Sequence, residues 1–538
     1  MKMFLGLVPR RFFLIISAAL TLILVGTTGC GGERPPTDAP GTEQITAYVI
    51  ADSTGDWGFP NPYSHYERGP GYIRMSLIFE TLVWKDADGT IPALAKSWHY
   101  DEANNAFTFK LRDDVTWHDG QPFTAEDVVF TFEYLKEHPY PMADSEFVES
   151  VTADGNKVTF TLSRPYAPFL EWVAGTIPIL PRHIWQDVDN PEDYRTAESA
   201  VGTGPFRFGD YNKELGTYLY LANDDYYGGM VMVRELRFSK ATEEMTGSAL
   251  RNGNVHAGSI RPEMSESLKQ DGMTVMVSPY YWNAKLMINH KKAPLSSKEM
   301  RQALAYAIDR QEIVDIAKQG QAIPGSTGLV PPDSEWFAPG ANQYPYDPAR
   351  TAQLLEGLGY IKQGDGYVKD GKALELELIY SAGIAGSTNF TRDAEMLKQQ
   401  LEKAGIKVNL RNMESKAVDD RVLNWDFDIA LSGHGGLGGD PVQINRAILG
   451  KGFNSARYEA NEELLGLLKK HVSIMGASER LKVVQQVQEL YAEEMPALTL
   501  YYPKWYFAHD GKVDQFYTLG GVALGVPVAV NRTAFVKK

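Results

Sequence analysis

Hydrophobic and polar residues alternate most clearly between residues 97 and 136. Over residues 107–112 every second residue is apolar, which predicts a strand with one buried and one solvent-facing side. A polar turn at residues 118–120 follows, and Thr124 then stands three residues before Asp127, which is the spacing of a capping box. Apolar residues recur at helical intervals after this box, so the pattern predicts a helix that begins near residue 125.

Similar patterns continue to the end of the chain. Asp154 and Gly155 form the turn of a predicted hairpin over residues 151–165. Ser296 and Glu299 have capping-box spacing before an apolar stripe that predicts another helix. Strands and helices alternate in the region that follows, which favours parallel pairing in an α/β sheet. The predicted elements there are strand 374–380, helix 393–404, strands 406–413 and 425–431, helices 461–475 and 479–493, and strand 498–502.

The first 44 residues have the layout of an export signal. Arg10 and Arg11 precede an apolar run that ends in small residues before Cys30, so residues 1–29 are predicted to be a signal peptide. Cys30 is placed as the lipidated residue of a bacterial lipoprotein, although a plain signal peptide with an incidental cysteine is the alternative. The paired arginines also fit a twin-arginine signal. Residues 30–44 are rich in Pro and Gly and predict a flexible linker.

Composition narrows the class of protein. The chain has 538 residues and a net charge of −15, with no basic run, which argues against a nucleic-acid partner. Cys30 is the only cysteine, so no disulfide is expected in the folded body. The sequence has no HExxH, GxSxG, GxxxxGK[ST] or CxxC motif, so neither enzyme activity nor a cofactor is expected.

His118 beside Asp119 is the one pair that invites a catalytic interpretation, because a carboxylate can orient an imidazole for proton transfer. No nucleophile or second acid stands near the pair in the sequence. We therefore expect these two residues to connect the strand to the following helix.

The block 97–136 closely resembles a segment shared by the family 5 extracellular solute-binding proteins, which are peptide, oligopeptide and nickel receptors of ABC importers. Further matches follow in order at residues 202–208, 294–314, 344–360 and 496–503. The resemblance implies an α/β type 2 periplasmic-binding-protein fold with two main lobes around a cleft and an extra inserted domain. The expected domains are a discontinuous domain I (45–75, 200–290 and 498–538), an inserted domain II (76–199) and a domain III (291–497).

A glycine-rich loop after the strand at 425–431 is the first candidate for ligand contact. Ligands of open α/β sheets bind beyond the carboxyl ends of strands, and glycines let the backbone approach a solute. The alternative is that Asp440 only caps the following helix. The resemblance also implies that peptide receptors of this family bind the peptide's amino group with an acidic residue in this loop. The corresponding position in this chain is Leu437. The candidate ligand-binding residues of the loop are His434, Asp440, Asn445 and Arg446.

Tyr280, Tyr281 and Trp282 form a second candidate patch, since aromatic rings offer flat apolar surfaces with polar edges. Aromatic residues in a strand also commonly belong to a core. No metal site is predicted.

We therefore expect a monomeric, lipid-anchored receptor outside the cytoplasm that delivers a peptide-like solute to an ABC permease in the membrane. A receptor for nickel, another metal chelate or a different non-peptide solute is the alternative, and an extracytoplasmic hydrolase is a remote one. The Sec and twin-arginine export routes both remain open.

Overall fold

A computed structural model describes residues 44–53, 55–66, 69–382, 389–518, 520–522, 525 and 528–537. The predicted signal peptide, Cys30 and the linker up to residue 43 lie outside the described residues. No helix within the described ranges combines the length and the apolar character that crossing a membrane requires.

Strands β1 to β13 precede residue 278. They are β1 (Ile45–Asp52), β2 (Val83–Lys85), β3 (Thr90–Pro92), β4 (Ala95–Asp101), β5 (Ala106–Leu111), β6 (Val148–Asp154), β7 (Lys157–Leu162), β8 (Phe206–Asn212), β9 (Thr217–Ala222), β10 (Met230–Val231), β11 (Val233–Lys240), β12 (Ala257–Ile260) and β13 (Thr274–Val277).

The remaining strands follow after a short connection. They are β14 (Trp282–Ile288), β15 (Ala322–Pro324), β16 (Ile361–Gln363), β17 (Gly366–Lys369), β18 (Lys372–Ala373), β19 (Glu375–Tyr380), β20 (Lys407–Asn412), β21 (Ile429–Gly435), β22 (Ala497–Pro503), β23 (Tyr506–His509) and β24 (Val536–Lys537).

The α-helices cover both halves of the chain. They are α1 (Gly69–Ser76), α2 (Ala125–Glu137), α3 (Arg182–Trp185), α4 (Glu243–Arg251), α5 (Ser265–Gln270), α6 (Lys298–Ala307), α7 (Arg310–Ala317), α8 (Pro348–Gly357), α9 (Thr391–Lys403), α10 (Ser415–Leu423), α11 (Val442–Leu449), α12 (Glu462–His471) and α13 (Ala477–Glu494). Shorter 3₁₀ or π turns lie at Phe169–Ala174, Pro191–Asp193, Glu198–Ala200, Pro262–Met264 and Arg532–Phe535.

The first lobe contains a mixed sheet in which the described strands follow the order β13-β23-β12-β1-β11-β9-β8. β1 pairs in parallel with both β11 and β12, although long stretches of chain separate them. A separate antiparallel sheet has the order β4-β5-β7-β6 and includes the predicted hairpin. One continuous buried cluster joins the two sheets, so we treat the described residues before 278 and after 505 as the first lobe.

The second lobe, residues 282–503, is built on a sheet whose described strands follow the order β15-β22-β14-β21-β19-β20. β19 pairs in parallel with β20 and β21, which confirms the parallel pairing predicted for this region. β14 and β22 belong to this sheet. The sequence-based boundaries at 290 and 498 placed β14 and nearly all of β22 in domain I. Their strand pairing puts them in the second lobe instead.

Three predicted element boundaries need correction. The helix predicted over 461–475 is α12, which already ends at His471. The helix predicted from Ser296 is α6, but its N-cap is Ser297, whose side chain accepts a hydrogen bond from the Met300 backbone. The strand predicted over 425–431 is β21, which runs from 429 to 435. Trp425 has a φ of 58°, which is incompatible with an extended strand, and its N–H bonds Val422 at the end of α10.

His118 connects two parts of the first lobe through both ring nitrogens. Nδ1 accepts from the Gly202 N–H at 3.2 Å, and Nε2 lies 2.9 Å from the Gly204 carbonyl oxygen. Asp119 pairs instead with His183 at 2.7 Å. Both ring nitrogens of His118 therefore contact backbone atoms, as expected for a residue that connects the strand to the following helix.

We predict that acidification destabilises the protein partly through His118. Burial lowers the pKa of His118 from its ordinary 6.5 to about 4, because the charged imidazolium loses its solvation inside the protein. Between these two pH values the unfolded chain binds more protons than the folded chain. The contribution of neutral His118 to the free energy of unfolding is therefore complete above pH 6.5 and is lost as the pH falls towards 4. Urea unfolding of the His118→Gln variant at several pH values should give a flatter slope than wild type. His99→Gln offers the comparison, since it removes an imidazole from the surface rather than from the interior, and an unchanged slope in His118→Gln would contradict the prediction.

Candidate ligand-binding site

Two short segments connect the lobes: residues 278–281, between β13 and β14, and residues 504–505, between β22 and β23. They bond each other, because the Ser278 N–H donates to the Trp505 carbonyl and the Trp505 N–H donates to Ser278 Oγ, both at 2.9 Å. The chain crosses between the described lobes only in this paired connection. It is therefore the place where a change of angle between the lobes would be absorbed.

A cavity of about 370 Å³, counting its mouth, lies where the lobes meet. Only about 20 Å³ of it is open to the centre of a water-sized sphere, which is room for roughly one water molecule, so a solute could enter only if the lobes moved apart. Aromatic, charged and small residues line the cavity together. They are Trp84, Lys85, Glu171, Trp172, Gly175 and Thr176 of the first lobe, Asp440 and Gln443 of the second lobe, and Val522 and Gly525 of the C-terminal segment.

The charged side chains on the cavity wall are paired. Lys85 Nζ lies 2.5 Å from Glu171 Oε2. The Asp440 carboxylate accepts from both terminal nitrogens of Arg480, at 2.7 and 2.8 Å, and also from the Val442 N–H at 2.8 Å. A bidentate arginine–carboxylate pair is a strong interaction. An amine of a solute would therefore have to displace Arg480 to reach Asp440.

Glycines bring the loop after β21 close to its neighbours. A Cβ on Gly438 would lie 1.6 Å from the Tyr281 ring, and a Cβ on Gly439 would lie 2.6 Å from the Gly520 carbonyl oxygen. Gly520 belongs to the C-terminal segment, which returns to the first lobe through β24. The glycine-rich loop therefore forms a direct contact between the second lobe and the first.

Further contacts join the lobes beside the cavity. The Ala167 N–H of the first lobe donates to the Val472 carbonyl oxygen of the second lobe at 2.7 Å. The Arg446 guanidinium lies 5.6 Å from the centre of the Trp172 ring. Such a contact between a cation and an aromatic face is favourable, so the lobes meet here through hydrogen-bonded and cation–π contacts.

The structure separates the four candidates of the loop. Asp440 lines the cavity, and Arg446 contacts Trp172 of its wall. Asn445 faces its own lobe, where its amide donates to the Leu468 carbonyl and its oxygen lies 2.6 Å from His471 Nε2. His434 lies within β21 rather than in the loop, opposite Asn283 of β14. Leu437 is buried in an apolar cluster of the second lobe.

The three candidate aromatic residues lie at or beside the connection between the lobes. Tyr280 contacts Lys504, whose Nζ lies 5.5 Å from its ring centre. The Tyr281 hydroxyl accepts a hydrogen bond from the Gly520 N–H at 3.2 Å, and burial raises the pKa of Tyr281. Trp282 packs beside Trp505 at 6.1 Å between ring centres.

Sequence reasoning missed most of the cavity wall. Lys85 and the adjacent Glu171 and Trp172 come from two positions far apart in the chain, and none of the three carries a motif. The Trp172 and Glu171 pair lies on the π-helical turn Phe169–Ala174, a type of turn that is frequent at functional sites. No group of histidine, cysteine, aspartate and glutamate side chains suited to hold a metal ion is present among the residues that the structure describes.

Residues 89–455 match the family model of the bacterial extracellular solute-binding proteins, family 5. The chain is 27% identical over 458 residues to di/tripeptide-binding protein 2 of Pseudomonas aeruginosa (strain UCBPP-PA14), covering 79% of this chain and 84% of that protein.

Solved structures show a similar fold. The ABC transporter substrate-binding protein CtaP of Listeria monocytogenes is 26% identical and superimposes with a TM-score of 0.74, covering 87% of this chain and 94% of that one. NikZ of Campylobacter jejuni, in complex with Ni(L-His), is 23% identical, with a TM-score of 0.73 and coverage of 90% and 98%. These superpositions confirm the α/β binding-protein fold expected from the sequence.

Proposed function

Because the chain belongs to the family 5 bacterial extracellular solute-binding proteins, we propose that it captures a peptide-like solute between its lobes and delivers it to an ABC permease. The family works outside the cytoplasm, and its members bind solutes. The peptide-like solute is supported by the similarity to a di/tripeptide-binding protein.

The observation that carries the proposal is the cavity shared by both lobes. Its wall combines two tryptophans, which can cover apolar parts of a solute, with two ion pairs that can be rearranged around polar groups. A solute that touches both walls favours the closed arrangement of the lobes by its differential affinity for that state. Capture of this kind needs no covalent step.

We extend the proposal to the organisation of the chain. The first lobe consists of residues 44–277 and 506–537 and includes the inserted domain 76–199, and the second lobe spans 282–503. Cys30 carries the lipid that holds the receptor at the membrane, and residues 31–44 act as its tether. Hinge motion takes place in the paired connection between the lobes.

We predict that the exported protein carries a solute when it is purified from cells grown in a rich medium. Native mass spectrometry should give a mass above that of the chain alone, and denaturation should release the difference as small molecules. A series of short-peptide masses is the expected result. A single metal-containing or other non-peptide mass would replace the peptide assignment by that of a chelate or specialised-nutrient receptor. Hydrolysis of added peptides by the purified protein would contradict the function as a receptor.

A further inference from the structure

A short segment of the inserted domain, residues 165–172, contacts the second lobe, and we refer to it as the clamp arm. The Ala167 N–H donates to the Val472 carbonyl oxygen at 2.7 Å. The Trp172 ring centre lies 5.6 Å from the Arg446 guanidinium. These residues are separate from the paired connection between the lobes, so a change of angle in that connection would break the contacts of the clamp arm.

The clamp arm is held in shape by its own domain. Pro165 and Pro168 flank its first part, and each proline ring fixes the backbone φ angle. Tyr166 is 6% exposed, and its ring centre lies 3.7 Å from that of Phe147 in the same domain. The π-helical turn Phe169–Ala174 continues the arm. The arm therefore presents a fixed surface to the second lobe and loses little freedom when it binds there.

The second lobe receives the clamp arm at the start of α11 and the end of α12. Asn445 Oδ1 lies 2.6 Å from His471 Nε2, which links the two helices to each other. Val442 and Val472 are 6% and 5% exposed, and both pack in the buried apolar cluster of the first lobe rather than in the clusters of their own lobe. Carbonyl groups at the end of a helix need partners from outside it, and the Ala167 N–H is such a partner for Val472.

The contacts of the clamp arm join protein groups only. The hydrogen bond, the cation–π contact and the burial of the two valines are each favourable without a solute. Exposure of one buried valine side chain alone shifts an equilibrium by roughly tenfold to a hundredfold. The cavity behind the arm has room for roughly one water molecule. The contacts that bring the lobes together therefore also close the cavity to a solute.

We infer that the clamp arm holds the two lobes together before a solute is bound, and that it must release the second lobe before a solute is captured. The rate of release then limits the rate of capture at high solute concentration, because binding that requires a conformational change is slower than the encounter itself. Closure is a property of the chain alone. Only the link to capture rests on the proposed function.

A disulfide across the clamp tests closure directly. Ala167→Cys with Val472→Cys places thiols on two backbones that already share a hydrogen bond, and Cys30→Ser leaves these as the only thiols of the chain. Oxidation is followed in the solute-stripped protein, alone and with tryptone, a tryptic digest of casein. We expect the disulfide to form in both samples, at rates that differ by less than roughly tenfold. Asp154→Cys with Lys157→Cys is the matched control, since it joins paired residues of one hairpin of the inserted domain and should oxidise in both samples alike.

Two substitutions in the cross-linking variant test the apolar contact. Val442→Ser should slow oxidation by roughly tenfold, because it removes an apolar side chain that the clamp buries. Ile316→Ser removes an exposed apolar side chain of the same lobe and should leave the rate unchanged. Native mass spectrometry then measures the link to capture. The oxidised protein should take up no tryptone peptide, and reduction of the disulfide should restore uptake.

The outcomes separate the clamp from the proposed function. A disulfide that forms only with tryptone, or in neither sample, would overturn the inference, since the clamp would then not close on its own. Equal uptake of peptides by the oxidised and reduced proteins would also overturn it, because release would not be needed. If wild type takes up no peptide at all, the peptide assignment fails, while the disulfide formed in the stripped protein still supports closure by the clamp arm.

Discussion

Gly439→Ala is expected to lower the affinity for the solute by roughly tenfold to a hundredfold, as an overpacking penalty of about 1–3 kcal/mol implies. The added Cβ would lie 2.6 Å from the Gly520 carbonyl oxygen and 3.2 Å from the Gly525 Cα. Both neighbours are backbone atoms, which cannot move aside as a flexible side chain can. The clash arises only where the two lobes meet, so it penalises the closed arrangement and leaves each lobe intact.

Calorimetric titration with the solute released from wild type measures this effect directly. The thermal unfolding of the solute-free Gly439→Ala variant should stay close to that of wild type, because no core contact is lost. Gly466 in α12 offers a matched control, since a Cβ added there would have no neighbouring atom within 4 Å among the described residues. Gly466→Ala should bind the solute as wild type does. Wild-type affinity in Gly439→Ala would show that the loop does not approach Gly520 when the solute is bound.

Local patterns predicted the elements well where a single signal decided them. The alternation around Phe109 gave β5, and the capping box at Thr124 gave α2, in which the Thr124 N–H donates to Asp127 Oδ2 at 2.8 Å. The start of α6 was wrong by one residue because two adjacent serines offer the same capping chemistry. The start of β21 was wrong because the left-handed backbone of Trp425 leaves no hydrophobicity signal.

The site was less predictable than the fold, and the reason is its assembly. The cavity joins residues from four distant parts of the chain, and the contribution of each one depends on how the lobes meet. His434 was expected in a loop, because the sequence does not show that β21 continues to Gly435.

The largest effect on stability is expected from Arg532→Met, which should lower the free energy of unfolding by about 3–5 kcal/mol at neutral pH. Arg532 and Glu80 form an ion pair in which both side chains are 1% exposed. The guanidinium also donates to the Phe79 carbonyl oxygen at 3.1 Å and lies 3.8 Å from the Trp84 ring centre. Its removal leaves the Glu80 carboxylate buried with no opposing charge from the residues that the structure describes.

The pH dependence of this loss identifies its cause. Burial raises the pKa of Glu80, and Arg532 and hydrogen bonds from Tyr226, Tyr227 and Thr203 oppose that rise. Without Arg532 the pKa rises further, and a folded state with a raised carboxyl pKa gains stability relative to the unfolded state as the pH falls. The difference between Arg532→Met and wild type in urea unfolding should therefore shrink on acidification. A difference that does not change with pH would assign the loss to packing against Trp84 instead.

Two comparisons separate the buried charge from other effects. Adding Glu80→Gln to Arg532→Met removes the charge left without a partner and should restore a large part of the stability. The exposed pair of Arg251 and Asp271 provides the control, because Arg251→Met should cost less than about 1 kcal/mol.

The buried pair also positions the cavity: Asn531, next to Arg532, donates to the Lys85 carbonyl and accepts from Trp84. Arg532→Met should therefore weaken solute binding as well as folding, whereas Arg251→Met should affect neither strongly.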